Sequence, residues 1–205
     1  GQVQAGGSRW SDEFIDPVVS VHAGAYEPDT DYDKIEPINW YAGKQYDDCF
    51  TAAHDVLNSF DKNFPQWAGR GYEIAGFVWW QGHKDSGSEA HPSNYEKNLV
   101  QLIETLRKEF RAPKAPFVVG TVGFHGWNLP ERFKPIAEGQ LAVSDDRKYP
   151  QFKGNVKTVE PRGFWKPADQ SPKTQDFHYN QNGEIYYRVG RAFGKAKVEL
   201  LESDD

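Results

Sequence analysis

Three short strand-like runs alternate with long amphipathic stretches, and this alternation constrains the fold more than any other feature. The runs are Ile74–Trp80, Pro116–Val122 and Asn155–Val159. The first two are nearly continuous in apolar residues, as expected of strands covered on both faces. The stretch at about 43–61 carries Tyr46, Cys49, Ala53, Val56, Leu57 and Phe60 at steps of three and four, the spacing of one helical face. Tyr95, Leu99, Leu102, Ile103, Leu106 and Phe110 form a second such stripe, with Ser93 or Asn94 placed to cap its start. Weaker helical spacing covers 131–144, and a last helix covers 182–197 with Ile185, Val189, Ala192 or Phe193, and Ala196 inward. Strands joined by helices in this order are parallel, because a parallel pair needs a long crossover. The expected class is therefore α/β, a parallel sheet wrapped by helices.

The chain has 205 residues, enough for a single domain with a substantial core. Residues 1–205 are read as that single domain, incomplete at its N-terminus. Two observations lead there: the sequence contains no methionine, and three strands make a thin sheet. At least one strand is expected to lie upstream or to come from another chain. The formal charge is −6 without a long basic run, so nucleic acid is not an expected partner. No apolar stretch is long enough to span a membrane. The lone Cys49 has no partner for an internal disulfide and is read as a core residue. Residues 11–40, rich in Asp, Pro, Gly and Tyr, read as a long surface loop.

In open parallel sheets, ligands bind beyond the carboxyl ends of the strands. That edge collects His83 and Asp85 after the first run, His125 after the second, and His178 at the end of loop 160–181. His178 stands just ahead of a helix, where a general base can be held rigidly; capping the helix would be a purely structural role. Gln81 and Gly82 follow Trp79 and Trp80 directly. A neutral amide beside a glycine N–H suits an oxyanion hole, which needs fixed donors without a competing charge. The same pair also suits a tight turn with φ > 0 at the glycine. One Trp of the pair is expected in the core and the other in the cleft.

Gly71 through Gly82 followed by Asp85, and His178-Tyr179-Asn180-Gln181-Asn182 continuing to Ala196, resemble the central and closing blocks of the sialate O-acetylesterase-like family of SGNH-type hydrolases. Asn94-Tyr95-Glu96 with Arg107, and Pro116 to Gly120, resemble the stretch between them. Ala5 to Trp10 is similar to the family's Gly-Gly segment. The resemblance implies a flavodoxin-like three-layer sandwich that removes acetyl groups from sugars or polysaccharides through an acyl-serine. It implies no cofactor and no metal, an acetylated carbohydrate as partner, and a secreted or periplasmic setting. By the same resemblance His178 is the catalytic histidine, and Gln81 and Gly7 (or Gly6) sit at the oxyanion position. Gly82, Trp80 and His83 accompany them as substrate-binding candidates.

Three positions depart from the family's pattern. The nucleophile block Gly-Gln-Ser-Asn does not occur; Gly1-Gln2 is followed by Val3-Gln4. The acid usually lies three residues before the histidine, where this chain has Gln175. His83 stands where relatives often carry Glu. Asp176 and Asp85 are therefore the candidate acids, with a Ser–His pair oriented by a carbonyl as the alternative, and Ser8 is a weak candidate nucleophile. The expectation is an esterase whose serine lies on an upstream segment or a second chain. The alternatives are a non-catalytic carbohydrate-binding or structural relative, and a metal-dependent hydrolase using His83, Asp85, His125 and His178.

Overall fold

The structure is a computed structural model that describes residues 44–87 and 90–202. Loop 11–40, Gly7 and Ser8 lie outside these residues. Strands β1 (Phe77–Trp79), β2 (Phe117–Gly120) and β3 (Val156–Val159) form one parallel sheet in the order β1-β2-β3. Phe77 is paired with Phe117, and Phe117 with Val156. The helices are α1 (Lys44–Asn58), α2 (Phe60–Asn63), α3 (Ala90–Glu109), α4 (Lys134–Ala142) and α5 (Gly183–Glu202). The parallel α/β class expected from the sequence is the class observed.

Helices cover both faces of the sheet. On one face Phe77 lies 5.6 Å from Phe117 and 5.7 Å from Phe110, just past the end of α3. Phe50 of α1 packs edge-on to Phe110. On the other face α5 presses so close that a side chain at Gly120 would meet the Phe193 ring. Tyr95, Leu99, Leu102 and Ile103 of α3 and Ile185 and Val189 of α5 are almost wholly buried, each contributing about 1.5–3 kcal/mol of transfer free energy.

The strands are shorter than the apolar runs that announce them, and β1 is not covered on both faces: Val78 is 52% exposed. Only β2, flanked by two strands, is buried at every position. Cys49 is exposed, contrary to its expected core position. The inward face of α1 runs through Tyr46, Phe50, Ala53, His54 and Leu57, which leaves Cys49 and Val56 on its flank. Ser93 and Asn94 lie inside α3 rather than at its cap, because the helix begins at Ala90. The segment at 131–144 divides into a 3-10 turn, Glu131–Phe133, and α4.

Arg107 ties the amino-terminal end of the sheet. It is buried, and it donates to Ala115 O at 2.8 Å, Asn155 O at 2.9 Å and Asn155 Oδ1 at 2.7 Å. The starts of β2 and β3 are thereby fixed by one guanidinium. The opposite end, where the strands release their chains into loops, is left for a site.

Candidate active site

Gln81 leaves β1 into a turn held from three sides. Its backbone carbonyl accepts Tyr95 OH at 2.8 Å and Gln140 Nε2 at 2.6 Å. Gln140 also accepts the Val122 N–H at 2.8 Å, so one buried amide joins the ends of β1 and β2. The Gln81 side-chain amide donates to Asp85 Oδ2. Gly82 has φ +146, and a Cβ there would come within 2.7 Å of Ile136 and 2.9 Å of Val122. No larger residue fits this backbone, so the glycine is required by conformation and by space together.

Asp85 is only 2% exposed. Burial pushes its carboxyl up to about 6, against the opposing bond from Gln81. Burial likewise raises the Tyr95 hydroxyl far above its ordinary range, with the nearby Asp85 adding to the effect. Both groups hold their protons more tightly than in water because a charge in this apolar pocket would lose its hydration. His83 is half-buried among Phe124, Phe133 and Phe177. Burial first, then the neighbouring basic groups led by Arg132, lower its pKa, so its ring is neutral at physiological pH.

The His178 loop reaches the same edge from the other side. Four successive residues, His178 to Gln181, have φ between 48 and 54. Left-handed backbone costs non-glycine residues on the order of 1 kcal/mol each, so the surroundings must hold it. Tyr179 is buried, with its ring 4.7 Å from both Trp80 and Phe124, and its hydroxyl accepts the Gly123 N–H at 3.2 Å. Asn180 accepts the Asp176 N–H at 2.8 Å and donates to Lys166 O. Between these anchors and α5, whose Tyr186 hydroxyl donates to His178 O at 3.0 Å, the imidazole projects outward and is exposed.

The two segments meet through neighbours in sequence. Trp80, next to Gln81, packs on Tyr179, next to His178. Phe177 bridges the His83 and His178 rings at 6.0 and 5.0 Å. Trp80 also packs on Phe193 and donates to Thr121 O at 3.1 Å, so it supports the site from within. Asp85 bonds Gln81, not His178. Among the described residues no carboxylate and no serine hydroxyl bonds the His178 ring. Asp176 is exposed and itself left-handed, at φ 61. His125 is stacked on Trp165, apart from His83. Among the described residues no three His, Cys, Asp or Glu side chains gather as a metal set, and no helix is long and apolar enough to cross a membrane.

Comparison with known proteins bears on this edge directly. The profile of the carbohydrate esterase family described as sialic acid-specific acetylesterase matches residues 34–197. The chain belongs to this acetylesterase family. A protein of Arabidopsis thaliana, known from its X-ray structure, aligns at 19% identity with a TM-score of 0.48. The alignment covers 71% of this chain and 51% of the plant protein, so the chain spans about half the length of that relative. No curated protein matches the chain.

Within the acetylesterase match lie residues that sequence reasoning did not assign to the site. Tyr95 reads in the sequence as a helical-stripe residue inside a block resembling the family, and Gln140 carries no sequence signal, yet together they fix the Gln81 carbonyl. Glu160 directly follows β3, and the strand-end rule marks its position. It accepts Thr121 Oγ1 at 2.8 Å and Arg162 Nη2 at 2.5 Å. Burial alone would raise its carboxyl, but the bonds from Arg162 and Thr121 outweigh burial and hold it below the usual carboxylate range. Glu160 is thus an ionised brace whose pKa is moved in the opposite direction from that of Asp85.

Proposed function

We propose that the chain forms the histidine and oxyanion side of a carbohydrate O-acetylesterase. His178 is the general base and later the general acid. Gln81 and the Gly82 N–H, with Gly7 as a further candidate, are donors for the oxyanion. A serine from outside the described residues is the nucleophile. The observation that carries this reading is the opposition of an exposed, loop-anchored histidine to an immobilised amide-glycine turn at one strand-end edge, in a member of a carbohydrate esterase family.

The chemistry follows from those positions. His178 takes the serine proton as the hydroxyl oxygen attacks the acetyl carbonyl. The carbonyl oxygen gains charge, and donors already fixed in place stabilise it without reorganising. The proton passes from His178 to the sugar oxygen as the C–O bond breaks, leaving acetyl-serine. Water then repeats the sequence and releases acetate. Asp85 positions the Gln81 amide, His83 lines the cleft, Trp80 backs it from within, and Asp176 is the candidate to orient His178. An acetylated sugar or polysaccharide is the substrate.

The test compares acetate release from acetylated xylan by the 205-residue chain with release by a form extended by a serine-bearing N-terminal segment. Each is assayed with and without His178→Ala. The expected result is turnover in at least one form, lost by more than about a hundredfold in its His178→Ala variant. Turnover in neither form would replace this reading with a carbohydrate-binding relative that does no chemistry.

A further inference from the structure

Beside the His178 edge lies an aromatic platform that the ester chemistry does not use. Trp127, in the loop after β2, is 69% exposed. Its ring is backed by the Arg162 guanidinium, whose central carbon lies 4.8 Å from the ring centroid. Arg162 is held in turn: its Nη2 donates to Glu160 Oε2 at 2.5 Å and its N–H to Glu160 Oε1 at 3.1 Å. Glu160 accepts the buried Thr121 hydroxyl. An exposed Trp on a free loop would sample many orientations. This one rests on a cation anchored, through two further residues, to the ends of β2 and β3.

The loop itself is built to hold that position. His125 is left-handed at φ 59, and its ring stacks at 5.4 Å and 23° on Trp165. Gly126, at φ +61, lies so close to the neighbouring loop that a Cβ would meet Arg162 O at 3.1 Å and the Trp165 side chain at 3.2 Å. Trp165 packs edge-on against Tyr179 at 6.1 Å, and Gly123 bonds the Tyr179 hydroxyl. The platform is therefore continuous with the residue that carries His178. Strained backbone held by its surroundings beside a site is where functional geometry is often stored.

We infer that Trp127, backed by Arg162, is a sugar-stacking subsite that holds a flanking unit of an acetylated polysaccharide while an acetylated unit lies at His178. A pyranose presents an apolar face of C–H groups that fits flat on an indole, and its hydroxyls remain in water. Arg162 is neutralised by Glu160, so the subsite takes a neutral sugar rather than selecting an acidic one. Two ring contacts, Tyr179 to Trp165 and Trp165 to His125, separate the His178 loop from this loop's stacked histidine. The substrate is accordingly a chain, not a single sugar. The inference rests on the acetylesterase reading for its catalytic arm, but its binding arm is independent.

The binding arm is affinity electrophoresis of the 205-residue chain and its Trp127→Ala and Trp127→Phe variants. The gels contain acetylated xylan, acetylated glucomannan or acetylated cellulose oligomers. Retardation of the unsubstituted chain on at least one of these is expected. It should be lost in Trp127→Ala and largely kept in Trp127→Phe, with near-ultraviolet circular dichroism showing the fold of each variant. In the form that turns over, Trp127→Ala should lower the ratio of kcat/KM on the retained polymer to kcat/KM on 4-nitrophenyl acetate about tenfold, mainly through KM. Absence of retardation on every polymer, or equal retardation of folded Trp127→Ala, overturns the subsite. Either result leaves the ester chemistry standing if acetate is still released.

Discussion

The Gln81 turn and the His178 loop face each other across one edge, but they are held in opposite ways. The turn is partly buried, and its carbonyl, side-chain amide and glycine are each fixed by a residue of another element or by Asp85. The loop is anchored at Tyr179 and Asn180, and the His178 side chain between its anchors and solvent has no polar partner on its ring among the described residues. The contrast suits the two tasks proposed for these segments. Donors that stabilise charge are most effective when they need not move. A base that transfers protons between a nucleophile and a leaving group needs a fixed backbone and a ring open to its partners.

The largest expected break in this comparison is at the loop's anchor. Tyr179→Ala should cost about 4 kcal/mol, in the range for a buried aromatic, with Tyr179→Phe costing only about 1; urea unfolding measures both. Such a loss also removes the Gly123 bond and the Trp80 contact, so the His178 loop should open to proteolysis before the turn does. Equal cleavage of both segments would show that Tyr179 does not hold them differently.

The second effect is a pH dependence located in the turn. Asp85 keeps its proton in the fold up to about pH 6, whereas its ordinary value is 3.8. Between those values the native state binds more protons than the unfolded state, so stability falls as pH rises. The contribution is fully present below the unfolded value and lost above the folded one. Relative to Asp85→Asn, the unsubstituted protein should lose up to about 3 kcal/mol between roughly pH 4 and pH 7. Parallel stability profiles for the two proteins would contradict a buried, proton-favouring Asp85. Third, Gly82→Ala should cost about 2 kcal/mol through the clash with Ile136 and Val122, seen as a lower urea midpoint with an unchanged slope.

Much of this contrast was legible from the sequence, but unevenly. The α3 stripe from Tyr95 to Ile103 and the α5 stripe from Ile185 to Ala196 are local patterns, and both faces are buried as their spacing requires. The parallel order followed from the alternation of elements. Placement of Gln81, Asp85 and His178 near the strand ends followed from topology. What held them did not. The bonds from Tyr95 and Gln140 to Gln81 span 14 and 59 residues, and no periodicity encodes such a pairing. Cys49 was misplaced because Cys49 and Phe50 are adjacent on a helix, and a stripe of threes and fours admits either. The left-handed backbone at His178 to Gln181 carries no glycine to announce it; it follows from the burial of Tyr179 and Asn180.

The smallest expected effect concerns the loop's own acid. Because the Asp176 carboxylate makes no bond to His178 in the described structure, Asp176→Asn should lower acetate release by less than about tenfold. A loss as large as that of His178→Ala would instead give Asp176 a full orienting role, acquired when substrate is bound.

The most direct measurement of the account is active-site labelling with a fluorophosphonate, followed by peptide mapping, in the form of the protein that releases acetate. One labelled serine is expected, outside residues 44–87 and 90–202, with labelling abolished by His178→Ala and strongly slowed by Gln81→Ala. Labelling that persists unchanged in His178→Ala, or that falls on a serine within the described residues, would contradict it.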